Sequence, residues 1–441
     1  MSVAKVIWPS APLTDSLIRN ALSQVLPDVQ ITDSNPASNS RHVQWSSYDE
    51  IDHELVNLQR ESVLSSSYTF RKCLIRKHFL SRCISSYLTK KPDSLLKHAW
   101  PRTYEIEISF VDELDEIFAD ELWELGQELE ASQTWWILKP GMADRGNGIR
   151  LFKDRASLEG IFQEFEDEDD DDDDDPGQDG ETEGQDSTAV VTSQLRHFVI
   201  QQYLSNPLLF DPLEVPVNGS TKPSPEELQD VAYQFHLRAY CVASGALTLY
   251  LYDRILALFS SKPYQHPDLH QNEIDLACHL TNTSLQAHRG EEGVRLMNEL
   301  VGCRVLSHSG ETRRTFAEED VANITSQMLH VLRETFEAAL RDPINFQPLP
   351  NAFELFGVDF LVTHSANDPE RWQVQLLEIN AEPAIELTGP RLKWILEDLF
   401  IAMAEVCVKP FTDAIRKESD DWPDGEARHH LIKCLGRKVR S

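Results

Sequence analysis

Two apolar, strand-like runs, Phe353-Glu-Leu-Phe-Gly-Val-Asp-Phe-Leu-Val362 and Gln373-Val-Gln-Leu-Leu-Glu-Ile-Asn380, carry acid and amide residues where a plain core strand would not. Side chains two apart on a strand share a face, so Glu378 and Asn380 project together from the second run while Asp359 projects from the first. Three oxygen-bearing groups of this kind suit a hard cation such as Mg²⁺, which keeps several waters and completes its shell with substrate phosphates. Either run alone reads equally well as a hairpin with acids at a solvated edge. Together they favour a metal-nucleotide site, because the acids interrupt runs that otherwise look buried on both faces.

A second constellation is Trp135-Trp-Ile-Leu-Lys139-Pro140-Gly-Met-Ala-Asp-Arg145-Gly146-Asn147-Gly148-Ile149. A strand ends in a lysine and enters a glycine-containing turn, where backbone N–H groups can approach an anion while Lys139 and Arg145 supply charge. No Gly-Lys-Ser/Thr closes it as in a Walker loop, and the dinucleotide fingerprint is absent. An ordinary surface turn is the alternative.

At 441 residues, 41% of them hydrophobic, the chain is expected to be globular, with two or three domains. No run approaches a membrane span, the N-terminus lacks the pattern of a secretory signal, and the seven cysteines contain no Cys-x-x-Cys pair. Free thiols in a cytoplasmic protein are the expectation. The net charge of −32 is concentrated, since Glu164 to Asp186 holds 15 acidic residues and no base. Such a segment is expected to be a disordered insertion. The acidic remainder is a poor match to nucleic acid, whose affinity comes largely from Lys and Arg.

Periodicity predicts a strand over 3–8, a helix after a cap at Thr14, and another helix around 48–60. A basic amphipathic helix is expected over 69–88. Strands are expected at 103–109, 135–138, 198–202, 233–241 and 247–252. Thr315-Phe-Ala-Glu318 resembles a capping box ahead of a helix, and a later helix is expected from Gly389-Pro390 to a stop at Pro410.

Taken in order, several segments resemble the tubulin-tyrosine ligase family: Phe70-Arg71-Lys72; Ile137-Leu-Lys139 with Arg145-Gly-Asn-Gly-Ile149; and Val199-Ile-Gln-Gln-Tyr-Leu-Ser-Asn-Pro-Leu-Leu209. His236-Leu-Arg238, Tyr250-Leu-Tyr252, His279-Leu-Thr-Asn282, Leu355-Phe-Gly-Val-Asp-Phe360 and Leu377-Glu-Ile-Asn380 complete the set. The likeness spans about residues 70 to 400 and implies an α+β ATP-grasp fold, with an α/β-type N-terminal part and ATP held between two α+β lobes. Members join an amino acid to a protein carboxylate, such as the α-tubulin C-terminus, through an acyl phosphate. By that likeness Lys72, Lys139, Arg145, Gly146 and Gly148 would surround phosphates, and Gln201, Gln202, Tyr203 and Leu204 would form the adenine hinge. Gln234, His236, His279, Thr281 and Asn282 would line the nucleotide side, and Arg238 and Arg254 would face the phosphoryl and incoming carboxylate groups. Asp359, Glu378 and Asn380 would hold Mg²⁺.

The resemblance divides the chain into a small N-terminal α/β domain (1–70), a central lobe (71–232) with a disordered acidic insert at about 164–192, a C-terminal lobe with the metal site (233–412) and a tail (413–441). The chain departs from the family pattern at Gln202, where the hinge has a lysine, and at Gln234-Phe-His236-Leu-Arg238, where tyrosine-adding members have Lys-Phe-Asp-Ile-Arg. Expected partners are a protein acceptor and a free amino acid, with no membrane and no direct nucleic acid. The alternative function is an ATP-grasp-fold scaffold with weak or no ligase activity in a cytoplasmic mRNA-processing assembly.

Overall fold

The computed structural model describes residues 2–34, 36, 41–142, 148–172, 196–217, 223, 228, 230–269, 274–281, 291–307, 314–365, 368, 370–413 and 422–437. Arg145, Gly146, Asn147 and Asn282, and the acidic insert beyond Asp172, lie outside them.

The chain opens as an α/β unit: β1 (Val3–Lys5), α1 (Pro12–Val25), β2 (Gln30–Thr32), β3 (His42–Gln44), α2 (His53–Leu58) and β4 (Val63–Ser65). The four strands are parallel in the order β2-β1-β3-β4. Helix α1 starts at Pro12 rather than after a cap at Thr14. Proline suits that first position because its φ is already helical and no N–H is needed there.

The expected basic helix forms as two pieces, α3 (Lys72–Ile75) and α4 (Lys77–Lys90), separated at Arg76, whose backbone is extended. Leu80, Cys83, Ile84 and Tyr87 of α4 are buried at helical spacing. After α5 (Leu96–Ala99) comes a smaller lobe: β5 (Thr103–Glu107), α6 (Leu114–Ala119), α7 (Trp123–Ala131), β6 (Trp136–Pro140), β7 (Arg150–Phe152), α8 (Arg155–Asp172) and β8 (His197–Gln202). Its antiparallel sheet, ordered β5-β8-β6-β7, packs one face on the three helices through Trp136, Leu138, Phe198, Ile200, Phe162 and Phe165. Helix α8 continues to Asp172, so the acidic segment is helical over 164–172 where disorder was expected. Its first turns are anchored by Leu158, Ile161, Phe162 and Phe165, which are buried.

The rest builds a nine-stranded sheet from β9 (Leu209–Phe210), β10 (Tyr233–Ser244), β11 (Thr248–Tyr252), β12 (Leu256–Phe259), β13 (Val294–Leu296), β14 (Phe353–His364), β15 (Trp372–Ala381), β16 (Ala427–Arg428) and β17 (Leu431–Gly436). The helices α9 (Glu318–Ala339), α10 (Lys393–Met403) and α11 (Lys409–Thr412) accompany it. Helix α9 begins at Glu318, with the Asp320 carboxylate accepting from the Ala317 N–H at 2.9 Å, so the cap lies two residues beyond the Thr315 of the expected box. Pro410 does not end the later helix. A widened turn over Ala404–Val408 precedes it, and the proline sits in the first turn of α11, where its missing N–H costs nothing.

Strand alternation divides the large sheet into two faces. Phe235, Leu237 and Ala239 of β10 and Val358, Phe360 and Val362 of β14 join a core with α4, α5 and α9. The opposite face is covered in part by the N-terminal unit and α10, through Tyr240, Val242, Phe353, Ala4, Leu22, Leu399 and Phe400. Helices α3 and α5, assigned to the central lobe by sequence, pack against β15 of the large sheet, while α4 lies between α9 and strands β5 and β8 of the smaller lobe. The segment set apart as a tail supplies β16 and β17, and β17 pairs with β11. The remainder of the second face, opposite the smaller lobe, is left for the site.

Candidate nucleotide and metal site

A cleft open to solvent separates the smaller lobe from the large sheet, lined by residues of both. From the smaller lobe come Ile137 and Lys139 on β6, Ile149, Gln201 and Gln202 on β8, and Tyr203 and Leu204 just beyond. The large sheet presents Gln234, His236, Asp359, Leu361, Leu377 and Glu378, and the segment His279 to Thr281 closes one side. Alternation explains the set. Trp136 and Leu138 enter the lobe's core while Ile137 and Lys139 face the cleft, and the same parity separates Ile200 from Gln201.

At the floor, Asp359 and Glu378 are cross-strand partners and Asn380 lies opposite Gly357. The Asn380 amide nitrogen is 3.4 Å from Asp359 Oδ2 and 3.2 Å from Glu378 Oε1, so the three side chains converge as the two-residue spacing predicts. The register slips between Asp359 and Phe360, leaving Leu377 as an extra residue on β15. This bulge is why Leu377 and Glu378, neighbours in sequence, both line the cleft.

The charges are mutually compensated. Arg238 holds Asp359 with both ends of its fork, Nε–Oδ1 at 2.5 Å and Nη2–Oδ2 at 2.8 Å, and His236 Nε2 is 3.4 Å from Oδ1. Burial opposes the Asp359 charge, but Arg238 and His236 outweigh it and hold the carboxyl well below the usual range. Glu378 is likewise lowered against its burial, chiefly by Lys77, whose Nζ lies 3.1 Å away, with a smaller contribution from Lys139. Lys139 donates to Gln201 Oε1 at 2.7 Å, and burial brings its pKa down to about 8, against the pull of Glu378. Its amine is therefore close to half-protonated in mildly alkaline solution. His236 Nδ1 meets Thr281 Oγ1 at 2.5 Å, and His279 Nδ1 meets the Tyr203 hydroxyl at 2.8 Å.

Among the described residues no group of three or more His, Cys, Asp or Glu side chains could hold a metal ion. Two ionised carboxylates and an amide that can present its oxygen by rotating are nonetheless a suitable partial set for Mg²⁺, which takes one or two carboxylates and draws its other ligands from water and phosphate. The apolar walls Ile137, Ile149, Leu361 and Leu377 fit the faces of a flat heterocycle.

Not every expected residue reaches the cleft. Lys72 is exposed at the start of α3, and the lysine beside Glu378 is Lys77, which the sequence does not single out among several cations of one basic stretch. Arg254 stands over Trp394, 5.5 Å from its ring centroid, beside Asp253, and does not line the cleft. Gly148 acts through its backbone. It has φ +69°, and a Cβ there would meet Pro140 Cγ at 2.7 Å.

A smaller antiparallel lobe facing a large sheet across this cleft defines an ATP-grasp protein. The profile of the tubulin-tyrosine ligase family matches residues 57–416, and the chain belongs to that family. A probable tubulin–tyrosine ligase of Saccharomyces cerevisiae, PBY1, is 36% identical over 425 residues, covering 92% of this chain and 52% of its own length. The chain thus spans about half of that relative. A probable tubulin–tyrosine ligase of Schizosaccharomyces pombe is 35% identical over 408 residues, 89% of this chain and 88% of the relative. The human probable tubulin polyglutamylase TTLL2 is 25% identical over 275 residues, 61% of this chain and 35% of its own. Among solved structures, the C-terminal domain of K. lactis Pby1, described as an ATP-grasp enzyme interacting with the mRNA decapping enzyme Dcp2, aligns with a TM-score of 0.67 and 29% identity over 100% of both chains.

Proposed function

We propose that this protein is a cytoplasmic, ATP- and Mg²⁺-dependent ligase that joins an amino acid, tyrosine or another, to a protein carboxylate such as the α-tubulin C-terminus. The observation that carries the reading is that Asp359, Glu378 and Lys139 line one cleft, with Asn380, Lys77 and Arg238 held against the two carboxylates. Magnesium bound there would neutralise phosphate charge during transfer to the acceptor carboxylate. The chain's own groups then have distinct tasks. Asp359, Glu378 and Asn380 hold the ion, and Lys139 and Lys77 add charge beside it. Arg238 fixes the Asp359 carboxylate in place, while the apolar walls and the hinge hold the base.

A second reading is an interaction scaffold of low catalytic power in an mRNA-processing assembly. It is supported by Gln202, Gln234 and His236, which replace charged residues of the family pattern, and by the structural likeness to a chain described as interacting with a decapping enzyme. Purified protein with ATP, tubulin and radiolabelled tyrosine, glutamate or glycine separates the two. Incorporation that disappears in Glu378→Gln supports the ligase, and no incorporation with any pair despite intact ATP binding supports the scaffold.

A further inference from the structure

The two arginines expected to face an incoming carboxylate are placed otherwise. Arg254 stands outside the cleft, and Arg238 engages Asp359 through its fork. A second cavity offers another anchor. It lies where the N-terminal unit meets the large sheet, beyond the carboxyl ends of β1, β3 and β4, and is bordered there by Trp8, Trp45 and Ser66. In the order β2-β1-β3-β4 the chain leaves β1 on one side and returns on the other. β1 and β3 therefore flank a switch point, the place at which open parallel sheets bind ligands.

Helix α1 starts in this wall. It has no side-chain cap, so its first N–H groups are left to a ligand or to water. Thr14, in the first turn, lines the cavity and is 7% exposed, and its hydroxyl has no hydrogen-bond partner among the described residues. A helical side chain leans towards the N-terminus, which brings this hydroxyl to the same point as the N–H groups. Together they suit a carboxylate.

The rest of the lining has the opposite character. Among the described residues no Lys, Arg or His borders the cavity, whereas Asp49, Glu382 and Glu386 stand exposed in its wall. A further acid, Glu354, is paired with Arg71. An anion alone would be repelled by these carboxylates, and a cation alone would leave the helix terminus unused. A zwitterion satisfies both, and Trp45, Phe400 and Met403 add apolar surface beside it. Glu382 follows Asn380 by two residues, roughly 7 Å of chain, so the cavity adjoins the candidate Mg²⁺ residues.

We propose that this cavity binds a free α-amino acid with an apolar or aromatic side chain, its carboxylate on the α1 N-terminus and Thr14 and its ammonium towards Glu382. That this ligand is the co-substrate rests on the ligase reading, under which the wall acids would select against glutamate.

Calorimetric titration of the full chain with phenylalanine, leucine and glutamate, with and without the Mg²⁺ complex of a non-hydrolysable ATP analogue, tests it. Phenylalanine or leucine should bind, and glutamate, like the decarboxylated and deaminated analogues of the bound amino acid, should bind roughly tenfold or more weakly. These comparisons need no variant. Thr14→Val, which keeps the shape and removes the hydroxyl, should weaken the amino acid roughly tenfold while leaving its decarboxylated analogue and Mg²⁺-ATP unaffected. Glu382→Gln should weaken the amino acid but not its deaminated analogue. Glutamate binding as tightly as phenylalanine and leucine overturns the inference, as does an amino acid affinity that neither variant changes. A protein that binds Mg²⁺-ATP but neither phenylalanine nor leucine under either condition overturns it while leaving the ATP site intact. One that binds the amino acid at Thr14 but no nucleotide supports it and overturns the ligase reading.

Discussion

Glu354 shows how far one buried carboxylate departs from its solution behaviour. Burial raises its pKa to about 7, even though Arg71 pairs with it at 2.6 Å and the Tyr68 N–H donates to it at 3.0 Å. The folded protein therefore keeps this proton between the unfolded value, near 4.5, and about 7. Its contribution to stability is present below the lower limit and is lost as pH rises through the window, by a few kcal/mol at most. Urea midpoints of wild type and Glu354→Gln at closely spaced pH values check this. The variant should lack the downward slope between pH 4.5 and 7, and the slope rather than the absolute stability is the readout, because Arg71 loses a partner. At the proposed Mg²⁺ site, Glu378→Gln should lower Mg²⁺-ATP affinity at least tenfold in calorimetry, since a carboxylate that would neutralise the ion is replaced by a weaker neutral ligand. Affinity should also fall as pH rises above about 8 while Lys139 loses its proton, and Lys139→Gln should flatten that profile. Asp359, Glu378 and Asn380 were legible because two-residue alternation fixes their facing. Leu377 was not, because a bulge breaks the alternation at that point. Lys77 could not be ranked above Lys72 without knowing that the backbone turns extended at Arg76 between them.

Among the elements, most strands follow their apolar runs, and the departures have local causes. The helix expected over 69–88 breaks because the chain must turn from the large sheet towards the smaller lobe. Pro410 fails as a stop because a widened turn accommodates its ring. Two glycines after β6, Gly141 and Gly148, cannot be replaced by a larger residue without movement. At Gly141 a Cβ would meet His78 Nδ1 at 2.6 Å and the His197 carbonyl at 2.9 Å, and Gly148 adds a left-handed φ. Gly148→Ala should cost about 1–2 kcal/mol from backbone conformation alone, with more from contact with Pro140. Gly148→Asn should not rescue it, because asparagine tolerates the φ but carries the same Cβ. Urea unfolding of the two variants, together with their ATP affinity, checks both statements.

For the whole molecule, the sequence indicated an α/β opening followed by a two-lobed α+β body, and that architecture is present. The pattern of shared cores was not legible, since it depends on which sheet face each unit covers. Residues of the N-terminal unit and of the large sheet belong to one buried cluster that includes Tyr240, Val242, Tyr250, Phe353, Leu399 and Phe400. A chain of residues 71–441 would expose this apolar face, and a fully buried side chain of this size contributes about 1.5–3 kcal/mol. Such a truncation should bind a hydrophobic dye and be cleaved rapidly within α10 by protease, whereas the full chain should resist both. Retained resistance would mean that the rest of the chain keeps its fold without the N-terminal unit.

The pairing of Thr248 with Gly436, and of Tyr252 with Leu431, has a consequence for synthesis. A ribosome releases β11 long before β17, so through most of translation one edge of β11 carries unpaired N–H and C=O groups beside an unfinished core. Exposed edges of that kind template intermolecular pairing. Nascent chains stopped short of residue 431 should therefore aggregate or recruit chaperones, and release of β17 is the step at which that edge of β11 is covered.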